Sequence, residues 1–483
     1  MSTVWVRLLF WLYLIFLVWA EATSANPADP DLWHRLALGE TLWQSHHFPT
    51  GVSSSYLADY TEVADHEWGS AVLFYALYRW QGLDTFVVVK LMTLALTMVL
   101  LVCAGLRGRQ ASMLSAAFYA LVLWALLPSF LSTVRCMTFT HAFFALWLYW
   151  FQRERHGQSV PTYCYVATML IWANLHGGFV IGLAWLLVVG TVEFASSGPW
   201  RKWAVRFGCC FLITLVNPFG VQLWISTGRA LLSPRHGFPE WGRVPWLHDV
   251  IAYPGYKVMF IGFLVALAVL IYRRGWKQVD RPLVVLLGIF MVLSVTSARH
   301  TSLFALVVGA LAPDLFPRGL TVESIADPVR RLGYIALCFT LMLAPLYSAM
   351  VLTSVASDGL QLRYDPVSCP VESVAYLQRQ KITGRLLVPF NYGSYALWEL
   401  RGRMRVSMDG RYDLVYRPET YERVNDFFAA ELDWRSLLTS PAPDAILVPI
   451  ADAVYVRLKK EPGWTEAFRD STNTDAVFLP RVK

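Results

Sequence analysis

Asp29-Pro30-Asp31-Leu32-Trp33-His34-Arg35 stands between the first apolar run of the chain and the second, and Asp65-His66-Glu67-Trp68 closes the same polar interval. On both sides of that interval the chain is apolar over lengths that cross a bilayer. Runs near the ~20 residues needed for a helical crossing recur from Val4 to Leu352. The 483 residues are 56% hydrophobic and only 16% charged, with a mean hydropathy of +0.44. Soluble domains carry about a quarter charged residues, so this composition predicts several membrane spans and puts the quoted carboxylates in a loop at a membrane surface.

Spans are predicted near 4–21, 84–106, 112–130, 134–151, 160–175, 178–195, 204–229, 256–273, 282–298, 300–316 and 333–353. Past Val355 charged residues, Gly and Pro return, and no further run is long enough to span. The expected fold is an α-helical polytopic membrane domain over 1–354, with about 11 transmembrane helices and an outer loop at 22–68. A small α/β domain follows over 355–483. Residues 1–20 resemble a signal peptide ending near Ala20-Glu21-Ala22, but the apolar stretch is long for one and reads as a retained first helix.

Basic residues set the orientation. Arg107-Gly108-Arg109, Arg153 with Arg155, Arg201-Lys202 with Arg206, Arg273-Arg274 with Lys277 and Arg281, and Arg318 with Arg330-Arg331 share one side if the N-terminus is cytoplasmic. The outer loop and the C-terminal domain are then extracytoplasmic, on the inner (plasma) membrane. This asymmetry accounts for the net charge of +7 and argues against a nucleic-acid partner. Of the seven cysteines, only Cys136 and Cys369 are placed to share an outer compartment, and no metal-type Cys/His spacing occurs.

Polar groups collect at the outer ends of the predicted spans: Arg135 and His141, Asn174 and His176, Asn217, Glu240 with Arg243, and Arg299-His300. Ionisable groups at membrane depth are costly and normally face a cavity or a partner. One outer-facing cavity shared with Asp29, Asp31, Asp65 and Glu67 is therefore expected. Sugar transfer to a hydroxyl or amide needs the acceptor deprotonated as the bond forms, and a carboxylate is the usual base. Asp31 and Asp29, restrained by Pro30 between them, are the catalytic candidates and the candidate site for a divalent cation. Asp29 also suits the N-cap of a helix starting near Leu32, which is compatible with that role.

Asp65, His66 and Glu67 are candidates for substrate binding, or else open a helix lying at the interface between Trp68 and Trp80. Arg135, Arg299, His176 and His300 are candidates for holding a phosphate or pyrophosphate leaving group, since guanidinium offers several fixed donors; Glu240 and Arg243 complete the set. For any one arginine, headgroup contact is the alternative. Asn174-Leu175-His176-Gly177-Gly178 reads as a tight corner, and Asn217-Pro218-Phe219-Gly220 as a kink or break.

In the C-terminal part, strands are expected at 386–390, 405–408 and 445–450, with helices through Leu400 and near 418–431. Asp409 and Arg411 end the second of these strands, where open α/β sheets place ligands; a structural ion pair is the other reading.

These segments together resemble a prokaryotic family of multi-span proteins in the GT-C glycosyltransferase group. The resemblance is carried by Asp29-Pro30-Asp31-Leu32-Trp33, Asp65-His66-Glu67-Trp68, Arg135 with Phe139-Thr140, Asn174 to Gly178, Asn217 to Gly220, Asn391-Tyr392-Gly393 and Asp409-Gly410-Arg411. The chain departs from the pattern after Trp33, where a second Trp and then His would follow and His34 and Arg35 stand instead. The resemblance implies a GT-C-like fold and a polyprenyl-phosphate-linked sugar donor. It also implies a glycan, lipid or protein acceptor, and catalysis at Asp31, Asp29 or both. Two other classes compete: a lipid-linked glycan transporter or flippase, for which Lys90 is the one obvious mid-span cation, and a non-catalytic subunit of cell-envelope polysaccharide assembly.

Overall fold

The computed structural model describes residues 3–49, 52–60, 63–107, 109–131, 135–232, 239–249, 252–316, 327–355, 358–431 and 433–481; Gly108 and Arg318 of the basic connections lie outside them. In chain order the first helices are α1 (Thr3–Ser24), α2 (Pro30–Ser45), α3 (Trp68–Gln81), α4 (Thr85–Leu106), α5 (Met113–Leu126), α6 (Met137–Arg155) and α7 (Thr162–Leu175). There follow α8 (Phe179–Ala195), α9 (Trp200–Ile213), α10 (Gln222–Leu232), α11 (Pro254–Arg274), α12 (Arg281–Thr296), α13 (Thr301–Leu315) and α14 (Pro328–Val355).

Among the described residues, five helices are long and apolar enough to cross a membrane: Val4–Ser24, Thr85–Leu106, Met113–Phe130, Pro254–Arg274 and Pro328–Thr353. The chain is a polytopic membrane protein with five such helices, not the eleven expected from hydropathy. Three physical causes account for four of the six surplus windows. The apolar window at 204–229 is cut at Asn217, whose Oδ1 accepts the Phe219 N–H at 2.7 Å, and at Gly220, with φ +53°. α13 has 15 residues, so it is about 22 Å long against a hydrocarbon core of about 30 Å. Its apolar character reflects burial: nearly every position, Thr301 to Ala312 and Leu315, is shielded by protein. α8 and α12 are apolar but only 17 and 16 residues long.

The chain forms two compact units: Met1–Asn26, Asp84–Val216 and Arg235–Leu362 make the first, and Pro27–Leu83, Asn217–Pro234 and Arg363–Lys483 the second. In the first unit α13 packs on α4, α5, α6 and α12. A buried aromatic cluster joins Trp147 to Tyr165 and Trp172, and Phe144 to Trp185 and Phe290.

The second unit contains α2, α3, α10 and the C-terminal elements. These are α15 (Val371–Arg379), β1 (Gly384–Leu387), α16 (Phe390–Glu399), β2 (Met404–Val406), α17 (Pro418–Ala429) and α18 (Ser436–Thr439), then β3 (Ala445–Pro449), α19 (Ala453–Leu458), β4 (Trp464–Arg469) and β5 (Asp475–Pro480). The sheet order is β2-β1-β3-β5-β4, parallel among β2, β1 and β3 and antiparallel at β5 and β4. Its core includes Leu387, Met408, Phe427, Ile446, Val448 and Phe478. The edge at β2 is covered by residues of the acidic loop: Val406 N–H donates to Ser54 O at 3.0 Å and Tyr56 N–H to Val406 O at 3.1 Å. Unpaired sheet edges invite foreign strands, and this pairing closes one. α16 packs on α2, so the loop helix and the C-terminal segment share one body.

Candidate active site

In the second unit the site begins at the first turn of α2. Asp29 Oδ1 accepts the Asp31 N–H at 3.0 Å, and Pro30 opens the helix, so Asp29 is a side-chain cap with its carboxylate buried. Asp31 is half-buried one residue into the helix. One turn on, His34 and Arg35 are buried. The Arg35 guanidinium reaches Asp65 Oδ2 and Glu67 Oε2, each at 2.5 Å. Asp65 Oδ1 also accepts the Glu67 N–H at 2.9 Å. Burial alone would raise the Asp65 carboxyl, but the Arg35 charge, with His66, outweighs it and holds the group below the usual range. His66 Nε2 lies 3.8 Å from Glu67 Oε1, at the outer limit of an ion pair.

His34 ties α2 to the C-terminal segment, its Nδ1 hydrogen-bonded to Ser394 Oγ at 3.2 Å. Ser394 Oγ in turn accepts the Gly410 N–H at 2.9 Å. Burial and the Arg35 charge push His34 down to about 3, so the ring is neutral at physiological pH. Among the described residues its Nε2 has no hydrogen-bond partner, although it is buried. Gly410 is where these groups meet. A Cβ there would lie 2.6 Å from Asp31 Oδ1, 2.9 Å from Ser394 Oγ and 3.0 Å from His34 Nδ1, so any larger residue must displace one of these side chains.

Asp409, next to this glycine, is fully buried and receives Arg411 Nε at 2.7 Å on one oxygen and Nη2 at 2.6 Å on the other. Tyr416 O–H adds a third bond at 3.0 Å. Burial pushes the Asp409 carboxyl up, yet Arg411 more than offsets it and brings it down to about 2. Arg411 Nη2 also donates to Ser54 Oγ at 2.9 Å. The ion-pair reading of Asp409 and Arg411 is realised in the geometry. A cleft of about 500 Å³ adjoins the cluster, lined among others by His34, Glu40, Asp65, Arg405 and Arg411.

Arg135, His176, Glu240, Arg243, Arg299 and His300 belong to the first unit. Glu240 bridges Arg135 Nη1 at 2.8 Å and Arg299 Nη1 at 3.2 Å; Arg299 also lies over the Trp241 ring, 4.7 Å from its centre. Glu240 therefore pairs with these two arginines and not with Arg243, which is exposed. His300 Nδ1 lies 3.3 Å from Leu293 O and 3.3 Å from Thr296 Oγ1. His176 Nδ1 accepts the Gly178 N–H at 3.0 Å and is bonded to Thr140 Oγ1 at 2.7 Å, so it closes the Asn174–Gly178 corner. His141 Nε2 pairs with Ser302 Oγ at 3.0 Å. Lys90 is buried and donates to Ala25 O at 2.8 Å and Asn26 Oδ1 at 3.0 Å. These bonds tie it to the end of α1. All seven cysteines are free thiols.

Sequence reasoning passed over His34, Arg35, Ser394 and Arg405. The i,i+3 spacing of Asp31 and His34 was a usable signal, because it puts both on one helix face. Nothing local to Ser394 predicts a partner 360 residues away. For the divalent cation expected at Asp29 and Asp31, Asp29 spends an oxygen on its cap. Among the described residues, no group of three His, Cys, Asp or Glu is placed to hold a metal ion.

Neither a protein-family model nor a curated protein sequence matches the chain. Solved structures do. ArnT from Cupriavidus metallidurans in the apo state is 13% identical with a TM-score of 0.59, over 99% of this chain and 98% of that one. ArnT from the same organism bound to undecaprenyl phosphate is 12% identical with a TM-score of 0.57 over the same shares, 99% and 98%. Arabinofuranosyltransferase AftD from mycobacteria is 14% identical with a TM-score of 0.55; the match takes in 100% of this chain but spans only 40% of AftD. The chain shares its fold with these proteins.

Proposed function

We propose that this chain is a GT-C type glycosyltransferase that moves a sugar from a polyprenyl-phosphate-linked donor to a glycan, lipid or protein acceptor. The observation that carries the reading is the convergence of Asp31, His34 and Ser394 on Gly410, which joins three segments of the motif set around one half-buried carboxylate. Asp29, Asp65 and Asp409 are buried, and Glu67 is held by Arg35. Asp31, the half-buried carboxylate at that convergence, is the general base of the proposal. It takes the acceptor proton as the new glycosidic bond forms and the bond from the sugar to the lipid phosphate breaks. The leaving group is the polyprenyl phosphate. Asp29 acts by holding the first turn of α2. Support for the donor class comes from the similar structures, one an arabinofuranosyltransferase and one holding undecaprenyl phosphate.

The reaction is proposed to occur on the extracytoplasmic face. Five alternating spans starting from a cytoplasmic N-terminus put Arg107 and Arg109, Arg273 and Arg274, and Arg330 and Arg331 on the cytoplasmic side. Arg153, Arg155, Arg201, Lys202 and Arg206, between the third and fourth spans, fall on the outer side, against the expectation from sequence. All three segments of the second unit then fall outside.

The test is mass spectrometry of lipids copurified with the detergent-solubilised protein, wild type beside Asp31→Asn. A polyprenyl-phosphate sugar retained by the variant is the expected result, together with loss of transfer. Bulk phospholipid alone in both samples, or full transfer by Asp31→Asn, overturns the proposal.

A further inference from the structure

Charge accounting along the cleft of the second unit leaves a surplus. Arg401 pairs with Glu40 and lies over the Trp398 ring, Arg411 is held by Asp409, and Asp65 is held by Arg35. Two further arginines on the cleft wall have no carboxylate partner among the described residues. Arg403 gives a single bond to a neutral carbonyl, Gln378 O, at 3.3 Å. The Arg405 side chain has no hydrogen bond or ion pair among the described residues, and both arginines are exposed. Arg403 ends the turn before the edge strand β2 and Arg405 is its central residue; both line the same cleft.

The rest of the wall is what a sugar requires. Thr41, Gln44 and Ser53 bring hydroxyl and amide groups, and Phe48 and Phe219, with ring centres 4.9 Å apart, form an apolar panel. His34 brings a buried Nε2 that has no partner among the described residues. Free guanidinium groups select carboxylate or phosphate through paired, charge-assisted hydrogen bonds. Arginines that were merely solvated would need neither the apolar panel nor the buried imidazole beside them.

We infer that this cleft binds an anionic sugar, one carrying a carboxylate or a phosphate, through Arg403 and Arg405. Its role as the acceptor rests on the transferase reading above.

The experiment is calorimetric titration of the solubilised full chain with trigalacturonic acid, phosphorylated maltotriose and neutral maltotriose. At least one charged trisaccharide is expected to bind about tenfold more tightly than the neutral one. That advantage should shrink as salt rises from about 50 mM to about 500 mM. The charged probe that wins separates the carboxylate source from the phosphate source. The Arg403→Gln/Arg405→Gln double variant, altered only at exposed side chains, should bind all three probes at the neutral level while keeping the wild-type unfolding midpoint. Equal binding of the three probes overturns the inference, as does no binding at millimolar concentration or a charge preference that survives the double variant. Asp31→Asn should keep the preference intact. If the copurified-lipid test fails while the preference stands, the transferase reading falls and the anion site remains; the reverse result removes the site alone.

Discussion

Arg35 Nη1 lies 2.5 Å from Asp65 Oδ2, with only 6% and 7% of the two side chains exposed. Arg35 neutralises the second acidic motif of the same loop. Arg35→Met should therefore destabilise the protein by about 3–5 kcal/mol, because two carboxylates lose their cation. Adding Asp65→Asn and Glu67→Gln should restore a large part of that loss. Denaturant unfolding in detergent checks both.

Gly410→Ala places a methyl group within 2.6 Å of Asp31 Oδ1. Something must move, and the carboxylate at the tip of a half-buried side chain is the group with room to do so. A shift near 1 Å in a catalytic group costs about 10²-fold in rate. Transfer activity should fall on that scale, with a much smaller change in unfolding midpoint.

His34 predicts a pH dependence. Its folded value is lowered from 6.5 to about 3, so between those values the unfolded chain binds a proton that the folded chain does not. Stability must then rise with pH from about 3 to about 6.5 and level off above, with a slope of up to about 1.4 kcal/mol per pH unit. Between pH 7 and pH 5 the loss is about 2 kcal/mol. His34→Gln should abolish that difference. Asp409, lowered from 3.8 to about 2, adds stability that is present above 3.8 and lost only as pH falls through about 2. Unfolding midpoints at pH 7, 5 and 3 separate the two groups.

In the first unit, Thr140 Oγ1 accepts Trp172 Nε1–H at 2.9 Å and is bonded to His176 Nδ1 at 2.7 Å. Thr140→Val keeps the shape and leaves a buried indole N–H without its acceptor. A cost of about 1–3 kcal/mol is expected, read from thermal unfolding. Thr140→Ser should retain most of the stability.

Local features were legible in the chain. Pro after Asp marked the start of α2, the Asn-Pro-Phe-Gly run marked a real break, and β-branched and aliphatic runs near 386, 405 and 445 marked β1, β2 and β3. Span counting failed for a different reason. Hydropathy reports only that a residue avoids water, and α13 avoids water inside protein. The site was half legible. Asp31 and Asp409 stood out as carboxylates next to proline and glycine, but their meeting point depends on how α16 packs against α2. Periodicity carries no information on that packing.

The backbone pairing of the acidic loop with β2 has a consequence for biogenesis. Ser55 and Ser407, joined by a hydrogen bond, are 352 residues apart, so at ~5–20 residues per second the loop waits roughly 18–70 s for its partner strand to be made. During that interval the loop has left the ribosome and its future sheet edge does not yet exist. A nascent chain stalled or truncated before β2 should therefore carry a cleavable acidic loop, and protection from protease should arrive only as the last quarter of the chain is completed.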